Sequence, residues 1–421
     1  MTILNTATIL IALAALFSYL NFRFLKFPST IGLLVAGLLS SCCMLAIDAL
    51  VPSLALAQNL RETIGQINFT AFLMQGLLGF LLFAGALHVN LDDLLQNKWP
   101  ILILSSIGVL ISTAVIGFGT ALLFSFLAID IPLAYCFVFG ALISPTDPVA
   151  VLGIMKSLHA PRRLETKVSG ESLLNDGFGV VAFAILLAIA GGGHHGEHVD
   201  TMTIVRVFLV EVVGGIGIGL VGGLIVYHAM KGVNEHNLEI MLSVALVLGI
   251  SCTAFAVHAS APLACVVAGL MIGNHGRLYA MSDATRDAVD LFWSFTDYIL
   301  NAVLFLLLGL EVLAIPFNRS AGITIAAVIP LVLAARFVCV AIPIGLMKTK
   351  RTFMPGTIKV LTWGGLRGGI SVALALSLPE FEGRSAVLNA TYGVVIFSII
   401  VQGLTIGRLI RSVSAQSETT S

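Results

Sequence analysis

The sequence predicts an all-α polytopic membrane protein of about thirteen transmembrane helices, and three observations carry that prediction. Apolar residues make up 58% of the 421-residue chain and charged residues only 10%, against about 25% charged in a typical soluble domain. The apolar residues fall into stretches of about 20, the length a helix needs to cross a bilayer. Finally, Lys and Arg crowd into alternate connecting loops.

In chain order the candidate spans lie near 3–22, 30–48, 69–89, 99–127, 132–155, 165–190, 203–229, 237–257, 260–274, 288–313, 321–347, 355–378 and 385–411. The first has no basic residue before it and no small-residue cleavage site, so it is expected to stay as a helix rather than be removed as a signal peptide. The ninth is short, and an amphipathic stretch from Arg277 to Asp290 leads into the tenth. Residues 412–421 are short and polar and read as a cytoplasmic tail. With the N-terminus outside, the loops after spans one, three, five, seven, nine and eleven and the C-terminus hold sixteen Lys and Arg. The opposite side holds four: Arg61, Arg206, Arg319 and Arg384. Cytoplasmic loops carry the Lys/Arg excess, which puts the C-terminus inside.

An odd count leaves room for two inverted six-helix repeats, residues 1–190 and 237–411, joined by a linker helix in 191–236. Inverted repeats place the substrate site at mid-membrane, on helices that are interrupted there. Span five (132–155) contains Ser144-Pro145-Thr146-Asp147-Pro148, and span twelve (355–378) contains Gly364-Gly365-Leu366-Arg367-Gly368-Gly369. These are the fifth members of their repeats. The prolines remove backbone donors, and irregular backbone at this depth survives only where protein buries it or water lines it.

Ionisable residues inside spans are expensive and usually functional. Here they are Asp147, Glu171, Asp176, Glu211, Asp297, Glu311, Arg336 and Arg367. Ser172 and Asp176 are four residues apart and share a helical face. A carboxylate beside a hydroxyl is a hard-oxygen site for Na⁺, Li⁺ or H⁺ rather than for soft metals. Asp147 is expected to supply a second carboxylate or to hold a bridging water, and the Thr146 carbonyl, freed by the break, another ligand. A carboxyl group poised between its charged and neutral forms holds either a proton or a cation, and that competition suffices for coupled exchange. Glu171 calls for a counter-ion. Arg336 is the expected partner and Arg367 the alternative, Arg367 otherwise balancing a helix end or a nearby carboxylate. Asn175 offers a neutral amide to the broken segment.

Other residues read more plainly. Glu211 and Glu311, near span ends, are expected to snorkel toward the surface. Asp297 beside Asn301 is as well explained by a structural pair as by a functional one. His88 reads as an interfacial residue, and the cluster His194-His195-Gly196-Glu197-His198 as a solvated loop. The six cysteines lie in apolar runs and read as small buried hydrophobes. Zero net charge implies no nucleic-acid surface, and no CxxC, haem or zinc pattern implies a cofactor.

The residues from Ser144 to Leu152 resemble the broken-helix signature of monovalent cation:proton antiporters. Gly170 to Gly177 is similar to the Asn-Asp motif of the group that includes bacterial NhaP-type antiporters and animal sodium/proton exchangers, and Trp363 to Gly369 resembles its later Gly-Gly-Leu-Arg-Gly signature. Leu304 to Gly309 adds to the likeness, which runs along the whole chain. The resemblance implies an NhaA/NapA-like fold of thirteen helices and a homodimer whose core domain moves against a dimerisation domain. It also implies a bacterial inner-membrane setting, and ion and proton carried on Asp176 with Glu171, Ser172, Asp147 and the Thr146 backbone around it. Members with Asn-Asp exchange one cation for one proton. The long cytoplasmic tail of the animal exchangers has no counterpart here. The expected function is therefore Na⁺/H⁺ antiport without a cofactor, with K⁺/H⁺ antiport, a passive cation channel and, last, an intramembrane hydrolase as alternatives.

Overall fold

The computed structural model describes residues 3–51, 71–158, 160–192, 201–311, 319–349, 351 and 353–418, and the regular structure among them is helical. The first half contains α1 (Ile3–Leu20), α2 (Ser29–Leu50), α3 (Leu78–Leu87), α4 (Leu91–Gln96), α5 (Lys98–Ser105), α6 (Ile107–Phe126), α7 (Leu133–Ile143), α8 (Val149–Ser157) and α9 (Arg162–Gly192). The rest contains α10 (Thr201–Leu209), α11 (Gly215–Lys231), α12 (His236–Ala256), α13 (Ala261–Met271), α14 (Asp283–Glu311), α15 (Arg319–Met347), α16 (Thr357–Trp363), α17 (Gly369–Leu376), α18 (Arg384–Phe397) and α19 (Gly403–Glu418). Helix thus occupies each of the thirteen predicted segments, and nine of the described helices are long and apolar enough to cross a membrane. Span five divides into α7 and α8 and span twelve into α16 and α17, at the prolines and glycines of the sequence.

Among the described residues five wide π-helical turns, which hydropathy does not register, bend or extend these rods: Asn21–Leu25, Phe72–Leu77, Val210–Gly214, Ile272–Gly276 and Ser398–Gln402. The ninth segment, short by its apolar run, is lengthened by one of them and a further turn at Arg277–Tyr279. Arg277 pairs there with Asp290 of α14. The polar tail continues α19 as helix to Glu418.

The helices pack as two groups. One contains α1, α2, α3, α11, α12, α13 and α14; the other contains α5 to α9 and α15 to α19. The seam between them is bridged by α9 with α3 and α13, α8 with α2, and α14 with α17.

Glu311 departs from expectation. It is 9% exposed, and its Oε2 is buried without a hydrogen-bond partner among the described residues. The cause is the tight crossing of α2 and α14: a Cβ at Gly309 would lie 2.9 Å from the Gly37 Cα and 2.8 Å from the Leu34 carbonyl oxygen. Ser41 Oγ donates to the Gly309 carbonyl at 3.1 Å. That contact draws the end of α14 inward. Glu211 remains partly exposed. Cys136, Cys265 and Cys339 are buried, whereas Cys42, Cys43 and Cys252 face outward on helices whose outer surface is apolar. The cluster at 194–198 lies outside the described residues.

Candidate functional site

The two interrupted helices cross at their breaks. Pro148 has no N–H for the Ser144 carbonyl, and the Val149 N–H turns to Asp147 Oδ1 (2.9 Å) instead of to Pro145. Both freed carbonyls are taken by one guanidinium: Arg367 Nη1 donates to Ser144 O at 2.5 Å and to Pro145 O at 2.9 Å. A backbone bond from Asp147 N to Leu366 O, 2.8 Å, joins the two breaks directly. Ser398 Oγ holds the Arg367 N–H from behind at 3.0 Å.

The charges follow the helix ends. An α-helix carries partial positive charge at its N-terminus and negative charge at its C-terminus. Asp147 bonds the first N–H of α8, and its other oxygen lies against Gly368, which caps the start of α17. Arg367 serves the C-terminal carbonyls beyond α7. Arg336 Nε donates to Leu361 O of α16 at 3.2 Å, while its Nη1 reaches Glu171 Oε1 at 2.5 Å. Of the two candidate partners for Glu171, Arg336 is the one in contact.

Gly368 leaves no room for a side chain, because a Cβ there would overlap the Asp147 carboxylate. Gly368→Ala is therefore expected to displace that carboxylate and to lower the maximal exchange rate by about an order of magnitude or more, since ångström misplacements of reacting groups cost up to ~10²-fold. The check is proton flux in proteoliposomes alongside the melting temperature. A flux equal to wild type would show that Asp147 need not stay between α8 and α17.

On α9, Asn175 Nδ2 donates to Thr146 Oγ1 at 2.7 Å and its Oδ1 accepts from the Thr146 N–H at 3.3 Å. Thr146 Oγ1 and Ser172 Oγ lie 3.1 Å apart. The Thr146 carbonyl and the Asp176 carboxylate accept no hydrogen bond among the described residues. Asp176 is 6% exposed, yet it opens, with Asp147, onto a cavity of about 610 Å³ at the seam between the two groups of helices. At its far end the cavity reaches Asn90, Asp93, Lys156, Arg162 and Glu165. His88 lies on its wall, bonded to Ala84 O (2.8 Å) and to Ser294 Oγ (3.3 Å).

The sequence-predicted residues thus divide into three sets. Asp147 and Asp176 share the cavity. Thr146, Ser172 and Asn175 are buried behind its wall in one hydrogen-bonded set. Glu171, expected near the ion, does not line the cavity and is held by Arg336. Sequence reasoning missed Ser144, Ser398 and Gln402; the last donates to the α16 carbonyl of Trp363 at 2.9 Å. Polar residues in apolar runs were the available signal, but Ser and Gln in membrane helices are too common to single out.

Comparison with known proteins agrees in family and in fold. Residues 10–412 match the family model for the transmembrane sodium/hydrogen exchanger. The chain is 46% identical, over 98% of its length and 97% of the relative's, to the Na⁺/H⁺ antiporter NhaP of Pseudomonas aeruginosa. It is 35% identical to the Na⁺/H⁺ antiporter NhaH of Halobacillus dabanensis, over 92% of the chain and 93% of the relative. The solved structure of the sodium proton antiporter MjNhaP1 from Methanocaldococcus jannaschii superposes with a TM-score of 0.74 at 18% identity, covering 97% of this chain and 98% of that one.

Proposed function

Because the chain belongs to the sodium/hydrogen exchanger family, we propose that it is a secondary active antiporter that exchanges Na⁺ for H⁺ at Asp176. One observation carries this reading: a carboxylate without a hydrogen-bond partner among the described residues stands beside the crossing of two broken helices, buried in the protein and open to a cavity that it shares with Asp147. A proton or a small cation can neutralise it, and one excludes the other.

In this mechanism Na⁺ enters by the cavity and displaces the proton from Asp176, and Asp147 lends a second carboxylate. The Thr146 carbonyl, which accepts no hydrogen bond among the described residues, and the Ser172 hydroxyl, turned from Thr146 Oγ1, complete a hard-oxygen shell. Exchange is one for one, because Glu171 is neutralised by Arg336 and carries no ion. The loaded group of helices, α5 to α9 with α15 to α19, then shifts against the other group and exposes the site to the opposite side. Residues 1–190 and 237–411 act as the two inverted repeats with 191–236 as linker, and the chain works as a homodimer. The N-terminus lies outside and the C-terminus in the cytoplasm, so the cavity mouth at Lys156 and Arg162 faces the cytoplasm. No resident cofactor takes part, and the setting is a bacterial plasma membrane.

Proteoliposomes loaded with a pH dye test this reading. Na⁺ and Li⁺ gradients are expected to drive proton flux, K⁺ much less, and an imposed membrane voltage should leave the rate unchanged. A rate that follows voltage would exclude one-for-one exchange. Flux with K⁺ alone would move the assignment to K⁺/H⁺ antiport, and cation current without proton movement would indicate a channel.

A further inference from the structure

The cavity wall formed by α14 carries chemistry that the exchange step leaves unused. Ser294, Asp297 and Asn301 are spaced by three and four residues, so they share one face of the helix, and all three line the cavity. Asn301 is 5% exposed. Its Nδ2 donates to Asp297 Oδ1 and to Asp297 O, 3.0 Å each. The second carboxylate oxygen of Asp297 and the amide oxygen of Asn301 accept no hydrogen bond among the described residues. Ser371, at the start of α17 where that helix packs on α14, lines the same cavity. It is 1% exposed, and its hydroxyl lacks a partner among the described residues. The charged residues of the wall are Asp93, Asp147, Glu165, Asp176 and Asp297 against Lys156 and Arg162, and Asp93 lies 3.6 Å from Arg162. Acidic side chains thus outnumber basic ones on the wall, and an excess of one sign of charge in a low-dielectric cleft concentrates counter-ions.

We propose that Asp297 and Asn301 form a second monovalent-cation site, a landing position from which the ion steps across the cavity to Asp176. This rests on the cavity being the ion's route to Asp176. A carboxylate oxygen, an amide oxygen and water make a hard-oxygen shell suited to Na⁺ or Li⁺. A single charge and partial exposure keep the binding weak, as passage requires: a site on a conduction path must bind well enough to fill and loosely enough to empty. The amide clamp from Asn301 fixes one carboxylate oxygen and leaves the other turned to the ion.

The test measures initial Na⁺-driven proton flux against Na⁺ concentration on the cavity side, in proteoliposomes with Asp176 intact. Asp297→Asn, which keeps shape and removes charge, is expected to raise half-saturating Na⁺ about tenfold, the lower end of what charge focusing supplies, with the maximal rate retained. Asp297→Glu restores the wild-type value. Asn301→Ala shifts half-saturation in the same direction by less. Unchanged half-saturation in Asp297→Asn, a fall in maximal rate alone, or an equal defect in Asp297→Glu would each overturn the proposal and leave Asp297 as a helix brace. Asp176 is untouched in every one of these proteins, so such a failure would not bear on its role, which is tested separately by its own substitution.

Discussion

Asp176→Asn is expected to reduce Na⁺-driven proton flux in proteoliposomes to that of protein-free liposomes. Asparagine keeps the size of the side chain, so the packing around Gly177, where a Cβ would already overlap Leu263, is undisturbed. What disappears is the group proposed to trade a proton for a cation. Asp147 is expected to assist rather than to replace it, because its Oδ1 accepts from the N-terminus of α8 and the carboxylate is held in place beside Gly368. Glu171 is not expected to replace it either, because Arg336 holds it away from the cavity. An unchanged melting temperature would show that the loss belongs to the chemistry and not to folding. Residual exchange at a substantial fraction of the wild-type rate would assign the carrier to another residue, with Asp147 the first to examine.

How far this site could be read without coordinates depended on which physical rule each feature obeys. Hydropathy found the helical segments because lipid imposes length and polarity on every span separately. Pro145, Pro148 and the glycines of 364–369 marked the two breaks, since the lost donors are a local property of the chain. The crossing itself could be anticipated from their matching positions, and so could Arg336 as the partner of Glu171, but the carbonyls that Arg367 reaches could not. Arg336 and Arg367 are both long, both buried and both near broken backbone. Packing alone shows that Arg367 reaches the carbonyls of Ser144 and Pro145. Glu311 was misread for a similar reason: a place near the end of an apolar run says nothing about a glycine contact between α2 and α14 that pulls that end inward. The polar face of Ser294, Asp297 and Asn301 was visible as spacing, yet nothing in the spacing says whether such a face meets another helix, lipid or an aqueous cavity.

Arg336→Ala is expected to destabilise the protein more than any other single substitution at the site, by about 3–5 kcal/mol, the cost of leaving one member of a buried ion pair without its partner. The side chains of Arg336 and Glu171 are 7% and 1% exposed, so water cannot replace the lost guanidinium. The same substitution frees the Leu361 carbonyl at the end of α16 and vacates the space that Gly365 exists to leave, where a Cβ would overlap Arg336 Nε. Thermal melting of detergent-solubilised protein measures the loss. The pair itself is a different matter, since taking two charges out of lipid's reach and out of water offsets much of their attraction. Glu171→Leu combined with Arg336→Met should consequently melt closer to wild type than either single substitution, a coupling that the double-mutant cycle isolates. If the double variant were as unstable as the sum of the singles, the two residues would be acting independently. The case for Arg336 as the counter-charge that keeps Glu171 from carrying ions, and hence for one-for-one exchange, would then fail with it.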